Sequence, residues 1–400
     1  MSTLSERRAP RITATMRQDE RVTPLELFFD LVFVLALTQC TTLMARDPTW
    51  VGLLKGMLVL GMLWWAWVGY AWLTSVVNPE EGTVRLVIFA AMAAMLVTAL
   101  CVPGAFGSEA LLFACAYAVV RTAHIALFTI SSRDDPALRH SVAGLAYSTA
   151  IGAGLLFVAA FTGGALQLCI WGLAMVLDMS GPFLFGADGW KLVPGHFAER
   201  HGLIVLIALG ESIVALGVGA RATIDAGAVV AALLGVVVAV TLWWTYFDVT
   251  AIVAQRRLSS AAEGRARNEM ARDSYSYLHF PMVAGIALLA VGLKITLAHV
   301  GDPLKLVPTA ALLGGTAVYM LAHVAFRLRN VQSLSPRRLV CSLALLALVP
   351  VTLALGISSL ATLAILTTVL SLLILYEVTR FADVRDRVRH YGSPGISPPR

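Results

Sequence analysis

Twelve stretches of about twenty apolar residues decide what this chain can become. Each is long enough to cross a bilayer as a helix. They fall at 24–44, 51–74, 84–104, 109–130, 139–160, 164–184, 201–220, 226–249, 276–299, 305–326, 338–356 and 359–379. Two connections are very short, Phe161 to Gly164 and Gly356 to Ser359, and their Gly and Ser residues mark them as turns rather than helix interiors. A soluble domain carries about a quarter of its residues as charges. Here 14% are charged, 58% are hydrophobic and the mean hydropathy is +0.79. Water cannot be kept off so much apolar surface at this length, so lipid is the solvent. The fold class is all-α, a polytopic integral membrane protein of about twelve transmembrane helices.

The charges orient it. Of the 30 Lys and Arg residues, 24 lie in the two tails and in the connections after helices 2, 4, 6, 8 and 10. Four lie on the other side (Arg46, Lys55, Arg221 and Lys305), and two, Arg121 and Lys294, lie inside spans. This alternation is the positive-inside pattern, which puts both termini in the cytoplasm. It also accounts for the net charge of +6 without nucleic acid as a partner. The N-terminal residues lack the apolar core of a signal peptide, so the first helix is expected to target the chain. Gly392 to Arg400 reads as a disordered tail.

The chain also resembles itself. Leu31 to Leu37 is similar to Leu203 to Leu209, and Trp64-Trp65 to Trp243-Trp244. Ala123-His124, Arg139 and Asp178 match Ala322-His323, Arg338 and Glu377 at a constant offset. Six spans is an even number, so the expected arrangement is two parallel six-helix repeats related by an axis along the membrane normal. The expected divisions are a cytoplasmic tail at 1–22, repeats at 23–190 and 191–380, and a second tail at 381–400.

Five cysteines lie in or at the end of apolar runs without a CxxC pair, so neither a disulfide framework nor a zinc site is indicated. There is no Walker loop, dinucleotide fingerprint, HExxH or GxSxG, and no cofactor or metal is implied.

Ionisable residues inside a bilayer are costly and mark candidate sites. Glu26 and Asp30 are four apart on one face of helix 1, with Thr23 as cap and Pro24 at the first helical position. Glu26 also fits an interfacial acid at a helix N-terminus. Glu211 falls near mid-membrane, beside Gly210 and Gly217, which suggest close approach of another helix. It reads either as an ion site or as neutral glue between helices. Arg121 and His124 share a face of helix 4, too deep to snorkel, and Arg121 needs an anion. Glu199, Arg200 and His201 stand at the cytoplasmic mouth of helix 7, where such charges are often merely solvated. Asp178, Asp248, His279, His323 and Glu377 lie near cytoplasmic helix ends, and their shared side suggests a polar cavity open there. Lys294 is expected to snorkel outward. The clusters Trp64-Trp65-Ala66-Trp67 and Trp243-Trp244-Thr245-Tyr246 read as a pathway lining or as an interfacial belt.

Four segments together resemble the low temperature requirement A family of bacterial membrane proteins: Glu26-LFFDLVFV, Glu199-RHGLIVLIALGES, Trp243-WTYFD and His279-FPMVAG. The resemblance spans nearly the whole chain. It implies a multi-pass protein of the bacterial inner membrane and carries no defined biochemical activity. The His201-Gly202 pair departs from it, an aromatic being expected before the glycine. Phe29 to Thr38 is also similar to the first-helix signature of the endosomal and lysosomal potassium and proton channels, although Phe28-Phe29 precedes Asp30 where those have Phe-Ser, and the second half lacks the Asp.

Duplication with buried carboxylates points to a secondary transporter or ion permease for a small ion or small molecule, with membrane lipids around it. Asp30 and Glu211 would bind a proton or cation, and Arg121 would balance charge. The three are expected to converge on one interior polar cavity. The alternative is an intramembrane enzyme acting on a lipid or isoprenoid from the cytoplasmic side, with His201, Glu199, His279 and Asp248 as acid–base or metal-binding groups. A scaffold or sensor without turnover is the third reading. The sequence names neither substrate nor oligomeric state.

Overall fold

The computed structural model describes residues 21–80, 82–219 and 225–390. Most of the N-terminal tail, Arg221 and the segment Gly392 to Arg400 lie outside the described residues. Twelve helices are long and apolar enough to cross a membrane. They are α1 Pro24–Arg46, α2 Trp50–Thr74, α3 Gly82–Gly104, α4 Ala110–Ser131, α5 Pro136–Ala159, α6 Gly164–Leu184, α7 Pro194–Gly219, α8 Ala226–Ser260, α9 Arg265–Ala298, α10 Leu306–Val331, α11 Pro336–Ala354 and α12 Ser359–Arg380. A short helix, α13, follows at Ala382–His390.

Local chemistry sets the helix starts. Thr23 and Glu26 form a reciprocal capping box at α1, with Pro24 in the first turn. Thr49, Asp135, Asp225 and Ser358 cap α2, α5, α8 and α12 by accepting a backbone N–H three residues on.

Three helices depart from the expected spans. α7 starts at Pro194, seven residues early, because His196 and Arg200 find buried partners instead of water. The presumed loop from Ala251 to Asp273 is mostly helix: α8 breaks at Asp248–Val249 and resumes to Ser260, and α9 already begins at Arg265. Within α9, Ala271–Tyr277 forms a π turn that leaves backbone carbonyls for side chains. Ser274 O accepts from His279, and Ser276 O accepts from Trp64.

α2 and α9 are the central pillars, each with 78% of its apolar window buried. α6 and α11 are the most exposed, and side chains such as Leu86, Phe161, Leu184 and Leu355 turn outward as lipid-facing surface. Close approach falls on α9 and α10. A Cβ on Gly285 would lie 2.6 Å from Gly315 O, and one on Gly292 2.6 Å from Leu312 Cα. Gly210 and Gly217 have open space around them, so the expected glycine contact beside Glu211 is absent.

In the first six helices the packed pairs are α1–α2, α1–α3, α2–α4, α2–α6, α3–α4, α4–α5 and α5–α6. In the last six they are α7–α8, α7–α9, α8–α10, α8–α12, α9–α10, α10–α11 and α11–α12, each the counterpart of a pair six helices earlier, together with α8–α9 and α9–α12, which have no such counterpart. α1 and α2 pack across onto α7 and α9.

Candidate functional site

The buried charges form separate clusters, two of them on the contact between α1 and α7. The first is built on the start of α1. Glu26 turns one carboxylate oxygen back to its own cap, accepting from Thr23 N–H at 2.8 Å and from the Thr23 hydroxyl at 2.9 Å. Its other oxygen faces α7 and meets His196 Nε2 at 2.8 Å and Arg200 Nη1 at 3.1 Å. One turn along, Asp30 Oδ1 accepts from Arg200 Nη2 at 2.7 Å and from the Trp67 indole at 2.8 Å. Arg200 also donates to Thr74 at 3.1 Å and lies 5.5 Å from the Trp67 ring centroid. The four ionisable side chains are at most 2% exposed. The shared face of Glu26 and Asp30, expected from their spacing, is the face turned to α7.

The second cluster lies two to three turns deeper on the same helices. Glu211 accepts from Lys294 Nζ at 3.0 Å and from Thr41 at 2.5 Å on one oxygen, and from Thr38 on the other. Lys294 also donates to Thr41 at 2.6 Å. Thus α1 supplies two hydroxyls, α7 the carboxylate and α9 the ammonium. Lys294 was expected to snorkel, but it is 6% exposed and turns inward because a carboxylate is within reach. Leaving both charges separately in hydrocarbon costs far more than pairing them.

The third cluster lies wholly within the first six helices. Arg121 donates to Asp178 at 2.8 Å, to Thr149 at 2.6 Å and to Trp65 O at 3.3 Å. Asp178 takes further hydrogen bonds from Thr149 at 3.0 Å and Tyr117 at 3.0 Å. A fourth lies within the last six: Arg338 makes two 3.0 Å bonds to Glu377, with His323 Nδ1 at 3.4 Å from it.

The expected single cavity shared by Asp30, Glu211 and Arg121 is therefore not formed. Each charge is neutralised locally by a different partner, which in a low dielectric is cheaper than gathering like charges around one space. Of the groups of the enzyme reading only His201 and His279 come together, and the two carboxylates lie elsewhere. Glu199 is exposed and accepts from Val22 N–H at 3.1 Å. Asp248 is bound by Arg385 and Arg389 of α13. His279 accepts from or donates to Tyr246 at 2.8 Å, and its ring centroid is 5.3 Å from that of His201. His201 packs between Trp67 and Phe197. Among the described residues no three His, Cys, Asp or Glu side chains are grouped to hold a metal ion.

The sequence reading missed Arg200, His196, Lys294, Thr38 and Thr41 as site residues. A helical wheel carries the signal for two of them: 196, 200 and 211 recur at spacings of four and eleven, one face of a 3.6-residue helix, while Glu199 falls off it. Of the two tryptophan-rich clusters, Trp64, Trp65 and Trp67 are interior, whereas Trp243 is 38% exposed.

Compared with known proteins, the chain matches the family described as bacterial low temperature requirement A protein (LtrA) over residues 21–375. It is 31% identical over 287 residues to an uncharacterized protein of Rhizobium meliloti (strain 1021), a match covering 68% of this chain and 69% of that protein. No solved structure matches it.

Proposed function

The chain belongs to the bacterial low temperature requirement A family, and from that premise we propose that it is a secondary transporter or ion permease of the inner membrane, working at the contact of α1 with α7. The observation that carries this reading is the Glu211–Lys294 pair with Thr38 and Thr41, a carboxylate, an ammonium and two hydroxyls buried where three helices meet. Buried ion pairs contribute little to stability against apolar packing, so their retention in a membrane favours a working role. A proton on Glu211, or a small cation coordinated by Glu211 and the two threonines, replaces the ammonium as the balancing charge. Lys294 is then released and signals occupancy to α9.

We read the scaffold as two parallel repeats, 23–190 and 191–380, with both termini cytoplasmic. The matching packed pairs of the two six-helix sets support the first part, and the loop charges support the second. Glu26, Asp30, His196 and Arg200 cross between these repeats, as the Glu211 cluster does, and so lie where rocking of one repeat on the other must act.

The test is flux into proteoliposomes with an internal pH dye and a panel of sodium, potassium and magnesium gradients. Wild-type protein is expected to dissipate at least one gradient, Glu211→Gln to abolish this and to melt lower because Lys294 is left unpaired, and Glu211→Gln combined with Lys294→Met to melt nearly as wild type and still carry no flux. Full flux through Glu211→Gln would refute the assignment.

A further inference from the structure

At the end of the bundle that the loop charges assign to the cytoplasm lies a cavity the transport reading does not use. It opens between the break in α8, the end of α10, the start of α11, the end of α12 and α13, and its volume is about 190 Å³. One water needs about 10–15 Å³ of such space, so a phosphate group with its ester arms fits. The charged lining is four arginines, Arg327, Arg337, Arg338 and Arg385, against two carboxylates, Asp248 and Glu377. Both carboxylates are already taken. Glu377 accepts two bonds from Arg338 at 3.0 Å, and Asp248 accepts from Arg385 at 3.0 Å and from Arg389. Arg327 and Arg337 are left over. Arg327 reaches only the Ser333 hydroxyl, at 3.5 Å, and feels the repulsion of Arg337 and Arg338. Arg337 lies over the rings of Phe381 and Tyr376, 4.3 and 5.3 Å from their centroids. That contact uses the face of the guanidinium, and among the described residues its N–H groups have no acceptor.

The start of α11 adds to the unspent positive charge. Ser335 to Arg338 line the cavity, and Ser335 makes no side-chain cap, so the first N–H groups of this helix are open to an anion. The surroundings indicate the anion's source. Val340, one turn beyond Arg337, and Leu375, next to Tyr376, are 64% and 59% exposed and belong to the lipid-facing surface of α11 and α12. A ligand with acyl chains lays them on these faces while its phosphate sits among the arginines at headgroup depth. We propose that this cavity binds the phosphate of an anionic phospholipid of the cytoplasmic leaflet, held by Arg327 and Arg337. Basic pockets between helix ends on the cytoplasmic side suit such headgroups. A headgroup with its own ammonium fits less well, because the two carboxylates that would meet it are spent on arginines.

The test is native mass spectrometry of purified, delipidated full-length protein. It is titrated with dioleoylphosphatidylglycerol or dioleoylphosphatidylethanolamine, with inorganic phosphate as competitor. The first glycerol lipid is expected to bind more tightly than the first ethanolamine lipid, and excess phosphate to leave it bound. Arg327→Gln combined with Arg337→Gln is expected to weaken it about thirtyfold, about fivefold for each arginine. Arg256→Gln combined with Arg257→Gln removes the same charge from the exposed end of α8, outside the cavity, and is expected to leave the affinity unchanged. Equal binding of the two lipids, an unchanged affinity in the first variant, or an equal loss in the second would each overturn the assignment. Displacement of the lipid by phosphate would overturn it in favour of a free anion. Should the first variant fail to fold, Arg327→Gln alone decides, at about fivefold.

Discussion

The buried pairs inside one six-helix set and those between the sets use the same chemistry for different ends. Arg121–Asp178 joins α4 to α6, and Arg338–Glu377 joins α11 to α12, each within its own set. Glu26–Asp30–His196–Arg200 and Glu211–Lys294–Thr38–Thr41 tie α1 to α7 and α9, across the sets. A movement of one set against the other leaves the first kind intact and must break or re-form the second. On the transport reading proposed above, pairs within a set are fasteners, replaceable by apolar packing, and pairs across the sets are contacts a cycle has to exchange.

The largest effect tests the fastener side. Arg121→Met leaves Asp178 buried with only Thr149 and Tyr117, and should cost about 3–5 kcal/mol, read as a large fall in melting temperature in detergent. Combining it with Asp178→Leu should recover most of that loss, together with any flux. If the double variant is stable but carries no flux, Arg121 belongs with the exchanged contacts and the distinction fails.

Much of this arrangement was legible from the chain, and the illegible part has a single cause. Helix number, the Thr23 cap and the common face of Glu26 and Asp30 follow from length and local spacing, which are properties of one helix at a time. The partners do not. Lys294 finding Glu211 depends on the rotation and depth of α9 relative to α7, and the π turn at Ala271–Tyr277 shifts that register where no residue type announces it. Arg200 looked like a mouth residue because the start of α7 was placed seven residues late. Once Pro194 is taken as the start, Arg200 is two turns in and needs the anions of α1.

A middle case sharpens the scale. Arg338 and Glu377 are 14% and 18% exposed, so water shares their solvation. Arg338→Gln should cost about 1–2 kcal/mol, between the buried and the exposed limits. A loss as large as that of Arg121→Met would mean that the two fasteners are equally dry in the membrane.

The smallest effect belongs outside the spans. Lys191 lies 2.7 Å from Asp135 and, with the Leu138 N–H at the start of α5, holds this carboxyl below its usual value. A lowered folded value means stability that is present above the ordinary carboxylate range and is lost as the pH falls through the folded one. Both side chains are well exposed, at 40% and 24%, so the pair is worth less than about 1 kcal/mol. Asp135→Asn keeps the cap and should lower the melting temperature slightly at pH 7, with the difference shrinking as the pH falls below the ordinary carboxylate range. A difference that persists in acid would assign it to the cap instead of the charge.

The placing of Glu211 has a consequence for how the protein is made. Its counter-charge, Lys294, lies 83 residues later, so a ribosome delivers it on the order of ten seconds afterwards. During that interval α7 leaves the translocon with a carboxylate in its apolar middle, a burden of about 2.5–3.5 kcal/mol for a lone charge at the centre of an inserting helix. What is already in the membrane is α1, with Thr38 and Thr41 for Glu211, and Glu26 and Asp30 for Arg200. Helix α1, made before α7, thus acts as a waiting berth for it, and α9 completes the pair on arrival.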